Sequence, residues 1–383
     1  MQGKGVLLSG PGTHITQLSA ALREAQRLHA VIHYYPHWEM EFYDGRRRRL
    51  PFYRLLTWGM WAAWRRIPYW GRWDNPKTWH AALYDWLTAQ YLPTSIRFVW
   101  GWSGYSLFTL QKARRKGLRT FLEFPTVHPA IWRRIIQSVY TQLSMSPTGL
   151  MHIPLSYINR IEQEITYADK VIILSSFAKQ TLLQRGVSPE KLHWIPLGVE
   201  ENLFTPASYL SQRPFRLLYV GRIDPLKGIL VLLEAWKRLR LPQAELWIVG
   251  YVLPEIKPLL AQYEGLFHYS PALPREKLSE VYRQATAFVF PTYVDSFGLV
   301  LLEAMASGLP VIATTYSAAP DLLEEGLIPP GDTEALMKAI LNFYERPDLA
   351  EIGKRNRRIV ETHHTLTLHY FARVQQFLEQ EKL

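Results

Sequence analysis

The clearest pattern of hydrophobic and polar residues lies at 288–312, FVFPTYVDSFGLVLLEAMASGLPVI. An apolar run at 288–290 predicts a short strand. After a polar loop at 293–296, apolar residues recur three and four positions apart over 299–306, which predicts a helix. A second apolar run at 311–313 predicts another strand. Together they make one βαβ unit of a parallel sheet, and such units bind ligands at the carboxyl ends of their strands.

Two acidic residues stand in this unit. Asp295 lies in the loop, and Glu303 follows about two turns of helix later among apolar neighbours. This separation is too long for a proton-sharing pair, but it suits two contacts to one long polar ligand. The phosphates of such a ligand would favour the helix start at Phe297, Gly298 and Leu299, where unpaired N–H groups and the helix dipole attract anions. Glu303 could also be a solvated helix residue, but its apolar neighbours favour a polar partner.

Two basic residues stand in a second predicted unit, at 215–239. A strand at 216–220 precedes Arg222, and Lys227 lies just before a predicted helix at 229–239. Two fixed cations beside a helix start suit a diphosphate. They would also stabilise the charge that develops when a sugar–phosphate bond breaks.

Taken together, these motifs resemble the family-4 retaining glycosyltransferases, which have the GT-B fold and transfer a sugar from a nucleoside diphosphate. Asp295 occupies the first glutamate position of the E-x7-E signature and Glu303 the second, and Arg222 and Lys227 match the phosphate-binding pair. The resemblance implies that Arg222 and Lys227 stabilise the leaving diphosphate, that Glu303 binds the ribose hydroxyls, and that Asp295 contacts the donor sugar. It also implies front-face displacement, in which the acceptor hydroxyl enters on the side from which the diphosphate leaves.

Four further site residues are assigned from the same resemblance. His128 follows a predicted strand, and a histidine of this loop in similar enzymes contacts a hydroxyl of the donor sugar; without the resemblance, a lone histidine is more often structural. Gly12 ends a Gly-Pro-Gly turn that borders the donor's distal phosphate in similar enzymes. The turn is also a partial dinucleotide fingerprint. Gly250 and Leu273 belong to two loops against which the nucleotide base lies in similar proteins.

The chain is long for one hydrophobic core, because it has 383 residues of which 48% are hydrophobic. The expected fold is α/β of GT-B type, with two Rossmann-like doubly wound domains whose parallel sheets face an interdomain cleft. A stretch rich in Pro, Ser and Asn indicates the linker between them. The expected segments are an amino-terminal acceptor-side domain at 1–197, the linker at 198–213, a carboxyl-terminal nucleotide-sugar-binding domain at 214–360, and a terminal helix at 361–383 that packs back on the first domain.

Composition and charge limit the classes of site and partner. The net charge of +11 attracts anions such as nucleotide sugars, nucleic acid and anionic lipid headgroups. The chain has no cysteine, which excludes disulfides and thiolate metal sites and suits the cytoplasm. No Asp-x-Asp pair is present to hold a divalent cation, so we expect neither a metal nor a cofactor. No long apolar stretch predicts a spanning helix, so we expect a cytosolic protein, at most peripheral on the inner face of the cell membrane.

Residues 38–102 hold ten of the fourteen tryptophans, interleaved with arginines. Indole and guanidinium groups together suit a membrane interface, so 46–77 is predicted to face an anionic membrane surface, with Trp58, Trp61 and Trp64 on one side of a helix. Alternatively, the tryptophans form the core of the amino-terminal domain and the arginines a solvated rim. Nucleic-acid binding by base stacking is the least favoured hypothesis, because the strand pattern of a known module is missing.

The acceptor and the sugar are less defined by the sequence. Asp295 is one methylene shorter than the family's glutamate, which affects the choice of sugar more than the type of reaction. A glycan or lipid-linked sugar of cell-envelope polysaccharide or glycolipid synthesis is the expected acceptor. A non-catalytic nucleotide- or membrane-binding module of the same fold is the alternative. A nicotinamide-dependent enzyme that uses the first glycine turn is a third hypothesis.

Overall fold

A computed structural model describes most of the chain. The described residues are 4–8, 14–33, 39–42, 44, 46–49, 76–147, 151–207 and 214–383. They form two α/β units, each built on a largely parallel sheet. The α/β prediction with two Rossmann-like sheets is confirmed. Gly12 and the predicted helix that carries Trp58, Trp61 and Trp64 lie outside the described residues.

The amino-terminal sheet consists of strands that alternate with helices. Its strands are β1 (Gly5–Leu8), β2 (Leu28–His33), β3 (Glu39–Phe42), β4 (Arg47–Arg49), β5 (Phe98–Trp102), β6 (Arg119–Phe124), β7 (Lys170–Ile173) and β8 (Leu192–Trp194). Among the described residues their order is β4-β3-β2-β1-β5-β6-β7-β8. The β2–β3 and β3–β4 pairs are antiparallel and the other pairs are parallel. No pattern in the sequence predicted the antiparallel strands.

Helices cover both faces of this sheet. They are α1 (His14–Glu24), α2 (Pro76–Gln90), α3 (Leu107–Arg115), α4 (Pro129–Gln142), α5 (Leu155–Tyr167) and α6 (Ser176–Leu183). Successive residues of a strand point to opposite faces. Leu7 therefore packs in one core with Leu18 of α1, whereas Leu8 packs in another with Leu110 of α3.

The carboxyl-terminal sheet is entirely parallel within the described chain. Its strands are β9 (Phe215–Val220), β10 (Ala244–Val249), β11 (His268–Ser270), β12 (Ala287–Phe290), β13 (Val311–Thr314) and β14 (Leu327–Ile328). Their order is β11-β10-β9-β12-β13-β14. The strand order reverses between β9 and β12, and ligands of open α/β sheets bind at the carboxyl edge beside such a switch point.

The helices of the second unit also flank the sheet. They are α7 (Ile229–Leu239), α8 (Lys257–Leu260), α9 (Arg275–Gln284), α10 (Leu299–Ala306), α11 (Ala319–Leu322), α12 (Thr333–Glu345), α13 (Leu349–His363) and α14 (Phe371–Gln380). Short 3-10 turns at Pro189–Lys191, Pro225–Lys227, Pro254–Ile256 and Ala261–Tyr263 and a π turn at Leu366–Tyr370 complete the described helical residues. The predicted βαβ unit is present as β12, α10 and β13, with β12 and β13 paired in parallel.

The last helix, α14, lies on the amino-terminal sheet. The Phe377 ring packs edge-on against Trp100 and Phe121, with ring centroids 5.4 and 4.8 Å away. These residues belong to one buried cluster that also contains α10 residues of the second unit. One continuous core therefore extends from the amino-terminal sheet to the helix that carries Glu303. In the described ranges every helix is too short or too polar to cross a bilayer.

Candidate functional site

The turn after β9 carries two cationic residues and is held by one buried carboxylate. Asp224 is fully buried; one of its oxygens pairs with Arg222 Nε, and the other accepts the backbone N–H groups of Leu226 and Lys227 at 2.8 and 3.1 Å. The Arg222 carbonyl accepts a hydrogen bond from the Tyr219 hydroxyl at 2.7 Å. A buried carboxylate bound on both oxygens therefore fixes the course of the turn and the direction of Arg222.

Lys227 reaches the loop that follows β12. Its Nζ lies 2.5 Å from Asp295 Oδ2 and 5.6 Å from the Phe290 ring centroid. Asp295 also accepts the backbone N–H groups of Phe297, at 3.0 Å, and Gly298. Burial alone would raise the pKa of Asp295, but Lys227 and these donors outweigh it, so the pKa lies below its ordinary value. The predicted anion-binding N–H groups thus donate to a carboxylate of the chain itself.

Gly298 permits the sharp entry into α10. Its φ of +82° is in the left-handed region, and a Cβ there would lie 2.9 Å from Phe290 Cε1. Leu299 is the first residue of the helix. The glycine therefore allows the loop to double back and bring the Asp295 carboxylate onto the helix start.

Glu303 lies on the buried side of α10, about 6 Å along the helix from Leu299. It is 6% exposed, and its Oε2 accepts a hydrogen bond from the buried Tyr282 hydroxyl at 3.1 Å. Its other oxygen makes no hydrogen bond within the described part of the chain. Burial raises the pKa of Glu303 to about 7, although Tyr282 and Arg275 favour the carboxylate. A free carboxyl oxygen in this position can accept a ligand hydroxyl.

His128 takes part in a structural arrangement of the amino-terminal unit. It is the N-cap of α4: its Nδ1 accepts the Ala130 N–H at 3.2 Å, and its own N–H donates to Thr181 Oγ1 at 3.0 Å. Its Nε2 lies 3.7 Å from Glu162 Oε1. Burial lowers the pKa of His128 to about 4, so the ring is neutral near neutral pH. Ala130, Thr181 and Glu162 all belong to the amino-terminal unit. The role of His128 toward the donor sugar stays a prediction.

The two residues predicted to lie near the base stand at the carboxyl edge of the second sheet. Gly250 follows β10, and its carbonyl accepts a hydrogen bond from the Tyr269 hydroxyl at 3.2 Å. Leu273 is half-buried against the main core. A cavity of about 410 Å³ is lined mainly by apolar side chains that include Ile248 and Phe267, and Tyr251, the residue after Gly250, also lines it. Gly12, the remaining donor residue of the prediction, is outside the described ranges.

The loop that carries Asp295 also joins the two units. The Ser296 hydroxyl donates to the Pro125 carbonyl after β6, and the Ser296 carbonyl accepts a hydrogen bond from the Ser175 hydroxyl after β7. Nearby, the Ser176 N–H donates to Asp321 at 2.8 Å. The carboxyl edge of the first sheet therefore contacts the loop of the second unit that carries Asp295.

Three of the residues that orient this site were not singled out from the sequence. Asp224 stands before a proline at a turn start, which is a usual capping signal and could have been used. Tyr282 and Ser296 act through contacts with residues distant in the sequence, so no local pattern indicates them. Across the described ranges no three His, Asp or Glu side chains are grouped to hold a metal ion.

The site brings together four of the predicted residues. Arg222 and Lys227 share the Asp224 support, Lys227 contacts Asp295, and Glu303 lies farther along the same helix whose start binds Asp295. The cations can hold the charged end of a ligand. The free oxygen of the buried Glu303 carboxyl group can hold the hydroxyl-bearing end of the same ligand.

Comparison with known proteins gives matches in sequence and matches in three-dimensional structure. Residues 214–346 match the family of glycosyl transferases group 1. The chain is 32% identical over 198 residues to the MMP alpha-(1->4)-mannosyltransferase of Mycolicibacterium hassiacum, a match covering 49% of this chain and 48% of that protein. It is 33% identical over 187 residues to the D-inositol 3-phosphate glycosyltransferase of Thermobifida fusca, with 43% of each covered. The chain thus spans about half the length of the curated relatives it matches.

Two of the solved structures that match do so over almost the whole chain. The sucrose-phosphate synthase from Thermosynechococcus elongatus has a TM-score of 0.69 and 21% identity, covering 99% of this chain and 98% of that one. Anabaena Alr3699/HepE in complex with UDP-glucose has a TM-score of 0.65 and 15% identity, covering 100% and 99%. At this level of identity the likeness concerns the fold, and it confirms the predicted GT-B arrangement of two Rossmann-like units.

Proposed function

We propose that the protein is a glycosyltransferase that moves a sugar from a nucleoside-diphosphate donor to an acceptor hydroxyl with retention of configuration and without a metal. The observation that carries this proposal is the joined set of Arg222, Lys227, Asp295 and Glu303 at the switch point of the second sheet. It lies inside the segment that matches glycosyl transferases group 1.

The proposed roles follow from the charges and from the resemblance of the motifs. Arg222 and Lys227 bind the diphosphate and stabilise the negative charge that builds up as the sugar leaves. The free oxygen of Glu303 accepts a ribose hydroxyl. Asp295 and His128 contact the donor sugar, Gly12 borders the distal phosphate, and Gly250 and Leu273 contact the base. Of the three residues predicted to hold the phosphates at the start of α10, Leu299 is the one proposed to do so, because the N–H groups of Phe297 and Gly298 already donate to Asp295.

The donor class is supported by what similar proteins bind. HepE was crystallised with UDP and with UDP-glucose, and two curated relatives are named as sugar transferases. We therefore expect a UDP-, GDP- or ADP-sugar as the donor.

Thermal stabilisation by these nucleotide sugars and their parent diphosphates tests the donor site. A ligand that binds only the folded protein raises its melting temperature with concentration. We expect one nucleotide to stabilise the wild type, and Lys227→Ala and Glu303→Ala to abolish the effect. Lys237→Ala is the matched control, because Lys237 Nζ also lies 5.6 Å from an aromatic ring, that of Tyr263, but on α7.

The outcomes separate an enzyme from a binding module. Release of the nucleoside diphosphate from a stabilising donor would support transfer or hydrolysis. Stabilisation without any turnover would favour the non-catalytic module of the same fold. If no nucleotide stabilises the wild type, or if Lys237→Ala behaves like Lys227→Ala, the donor site is assigned wrongly.

For the acceptor, we propose a glycan or a lipid-linked sugar that is met at the inner face of a membrane, in polysaccharide or glycolipid synthesis. The supporting observation is a pair of exposed indoles on α2: Trp79 is 56% and Trp86 50% exposed. Seven residues apart, they lie on one side of the helix. Arg46, Arg47 and Arg48 provide exposed cations on the same unit, and indoles with cations suit an anionic interface.

Flotation with vesicles of phosphatidylcholine and phosphatidylglycerol tests the membrane surface. Replacing both Trp79 and Trp86 with alanine is expected to release the protein from the vesicles, because it removes two aromatic anchors. Trp194→Ala is the matched control, because Trp194 is 49% exposed on β8, at the other edge of the same sheet. Equal flotation of the double variant and the control would contradict the proposal.

A further inference from the structure

The cavity of about 410 Å³ in the second unit lies apart from the proposed donor site. Trp247 of β10 packs against the core that contains α10, whereas the next residue, Ile248, lines the cavity. Successive residues of a strand point to opposite faces of the sheet. The cavity is therefore on the face turned away from α10 and Glu303, and none of the described residues assigned to the donor lines it.

The cavity has apolar walls and a polar rim. Six hydrophobic side chains form the walls: Ile223, Ile229, Ile248, Val252, Leu260 and Phe267. The other lining residues are Tyr251, Tyr269 and Lys257, which are exposed to solvent. Protein cores contain few voids larger than a water molecule, whereas sites for small molecules enclose about 300–1,000 Å³ between apolar walls and a few polar groups. Its volume and its lining fit a ligand site.

Lys257 gives the rim a positive charge. It is the first residue of α8, and its Nζ makes no hydrogen bond or ion pair with any residue in the described ranges. Glu255, two residues earlier, accepts a hydrogen bond from the Tyr140 hydroxyl of α4. A cation at the mouth of an apolar space is complementary to a ligand with an anionic head group and an apolar chain.

The volume limits the size of that chain. If each heavy atom takes about the 30 Å³ of a liquid water molecule, 410 Å³ holds about fourteen heavy atoms. One medium-length chain with a carboxylate fits, whereas a lipid with two acyl chains does not. Apolar cavities in proteins stay dry and bind apolar molecules. The cavity therefore suits a free carboxylate better than a lipid of the bilayer.

One wall of the cavity belongs to the turn that carries the proposed diphosphate cations. Ile223 lies between Arg222 and Asp224, the buried carboxylate that fixes this turn. The Ile223 N–H donates to the Tyr251 carbonyl at 2.8 Å, and the Ile223 carbonyl accepts the Leu253 N–H at 3.0 Å. A ligand in the cavity therefore contacts both the cation turn and the loop that follows β10.

The loop that follows β10 also contacts the first unit. Leu253 packs against a buried cluster that contains Tyr140 of α4 and Leu226 of the cation turn. Two residues later, Glu255 binds the Tyr140 hydroxyl. The segment at 251–255 thus connects the cavity with the cation turn and with the first unit. Ordering this segment favours the joined arrangement of the two units.

We propose that the cavity binds a free medium-chain carboxylate, with its chain between the apolar walls and its head group on Lys257, and that this ligand strengthens donor binding. The effect on the donor rests on the proposed function. A ligand that orders the cation turn and the segment at 251–255 leaves less conformational entropy for the donor to remove, so the two ligands bind cooperatively. By linkage, the donor strengthens carboxylate binding by the same factor.

Isothermal titration calorimetry with octanoate tests the cavity without any donor. We expect saturable binding of one octanoate per wild-type chain. Leu260→Trp, which fills the cavity, should abolish binding without lowering the melting temperature of the unliganded protein. Dioctanoyl phosphatidylglycerol should not displace octanoate, because its two chains exceed the volume of the cavity. Equal binding to the wild type and Leu260→Trp, displacement by the two-chain lipid, or no saturable binding would overturn the proposal.

Lys257→Met tests the head-group contact. It removes the charge and keeps the length of the side chain, so octanoate should bind about fivefold more weakly while 1-octanol binds as before. Lys338→Met is the matched control, because Lys338 is also exposed on a helix of the second unit but does not line the cavity. An equal loss in both variants, or no loss in Lys257→Met, would contradict the assigned orientation of the ligand.

The coupling is measured with the nucleotide sugar that stabilises the wild type. Saturating octanoate should lower the Kd of this donor about fivefold in the wild type, at the lower end of usual allosteric couplings, and should leave it unchanged in Leu260→Trp. An unchanged or increased Kd in the wild type would overturn the coupling. If no nucleotide sugar binds to the wild type, the proposed function fails, and the octanoate titration still decides whether the cavity is a ligand site.

Discussion

At the residue scale, the ionisation of Glu303 is set by its surroundings. Burial makes the charged form costly, and the single hydrogen bond from Tyr282 compensates only in part. The result is a carboxyl group that holds its proton to about pH 7, where most glutamates are ionised. The same surroundings leave its other oxygen without a hydrogen bond to any described residue.

This raised pKa makes stability depend on pH with a defined sign. Between about pH 4.5 and about 7 the folded protein retains a proton that the unfolded chain has lost. The stabilisation from the protonated group is therefore complete below about pH 4.5 and is lost as the pH rises through 7. Glu303→Gln keeps a neutral group at every pH, so its free energy of unfolding should increase relative to the wild type by at most about 3 kcal/mol from pH 4.5 to pH 8.

Urea denaturation at several pH values measures that difference. Glu334→Gln is the control, because Glu334 is exposed on α12 and pairs with Arg238. A difference between Glu303→Gln and the wild type that is independent of pH would show that the pKa of Glu303 is the same in the folded and the unfolded protein.

At the scale of elements, the connection from the cation turn to α7 depends on one glycine. Gly228 has a φ of +69°, and a Cβ there would lie 1.8 Å from the carbonyl oxygen of Pro291, which follows β12. The two loops that carry Lys227 and Asp295 are therefore in backbone contact. Their close approach is what allows the 2.5 Å pair between these side chains.

Gly228→Ala is expected to destabilise the protein by more than about 3 kcal/mol, because the methyl group meets backbone that cannot move without shifting β12. Gly117→Ala is a close control: Gly117 has a φ of +70° but open space around the position of its Cβ. Gly117→Ala should lower the free energy of unfolding by only about 1 kcal/mol, which is the cost of the left-handed conformation for alanine. Chemical denaturation of both variants measures the difference, and equal losses would mean that the loops are free to separate.

At the scale of the whole molecule, the two units are joined at the site. Ser296 bonds to Pro125 and Ser175, and the Phe177 and Tyr316 rings stack across the same boundary with centroids 4.8 Å apart. Lys227 therefore holds Asp295 within the second unit. The neighbouring residue, Ser296, connects the same loop to the first unit. Separation of the units would release the loop that carries it.

Ser296→Ala removes one hydrogen bond between the two units. It should reduce the free energy that favours joined (closed) over separated (open) units by about 1 kcal/mol, which lowers the ratio of closed to open molecules about fivefold. We expect a similar fall in kcat/KM for the donor, with little change in the free energy of unfolding. Ser307→Ala is the control, because its buried hydroxyl bonds within α10, to the Glu303 carbonyl at 2.9 Å. A loss in kcat/KM of the same size in Ser307→Ala would contradict a role for closure.

Much of the fold could be predicted because its signals are local. The βαβ unit of β12, α10 and β13 followed from periodicity and from glycine and proline, which act over a few residues. The antiparallel β3 and β4 could not be predicted, because arginines and glutamates give no strand pattern and these strands are defined by their pairing with β2.

The sequence by itself determined the repeated strand–helix order and the types of charged group in the site, since turn chemistry places Arg222, Lys227 and Asp295 after strands. Only the tertiary structure decided which groups bind one another. Lys227 and Asp295 are 68 residues apart, and Tyr140 and Glu255 are 115 apart. Contacts between residues so far apart in the sequence depend on the order of the strands and on which residues are buried beside them. A local sequence pattern predicts neither.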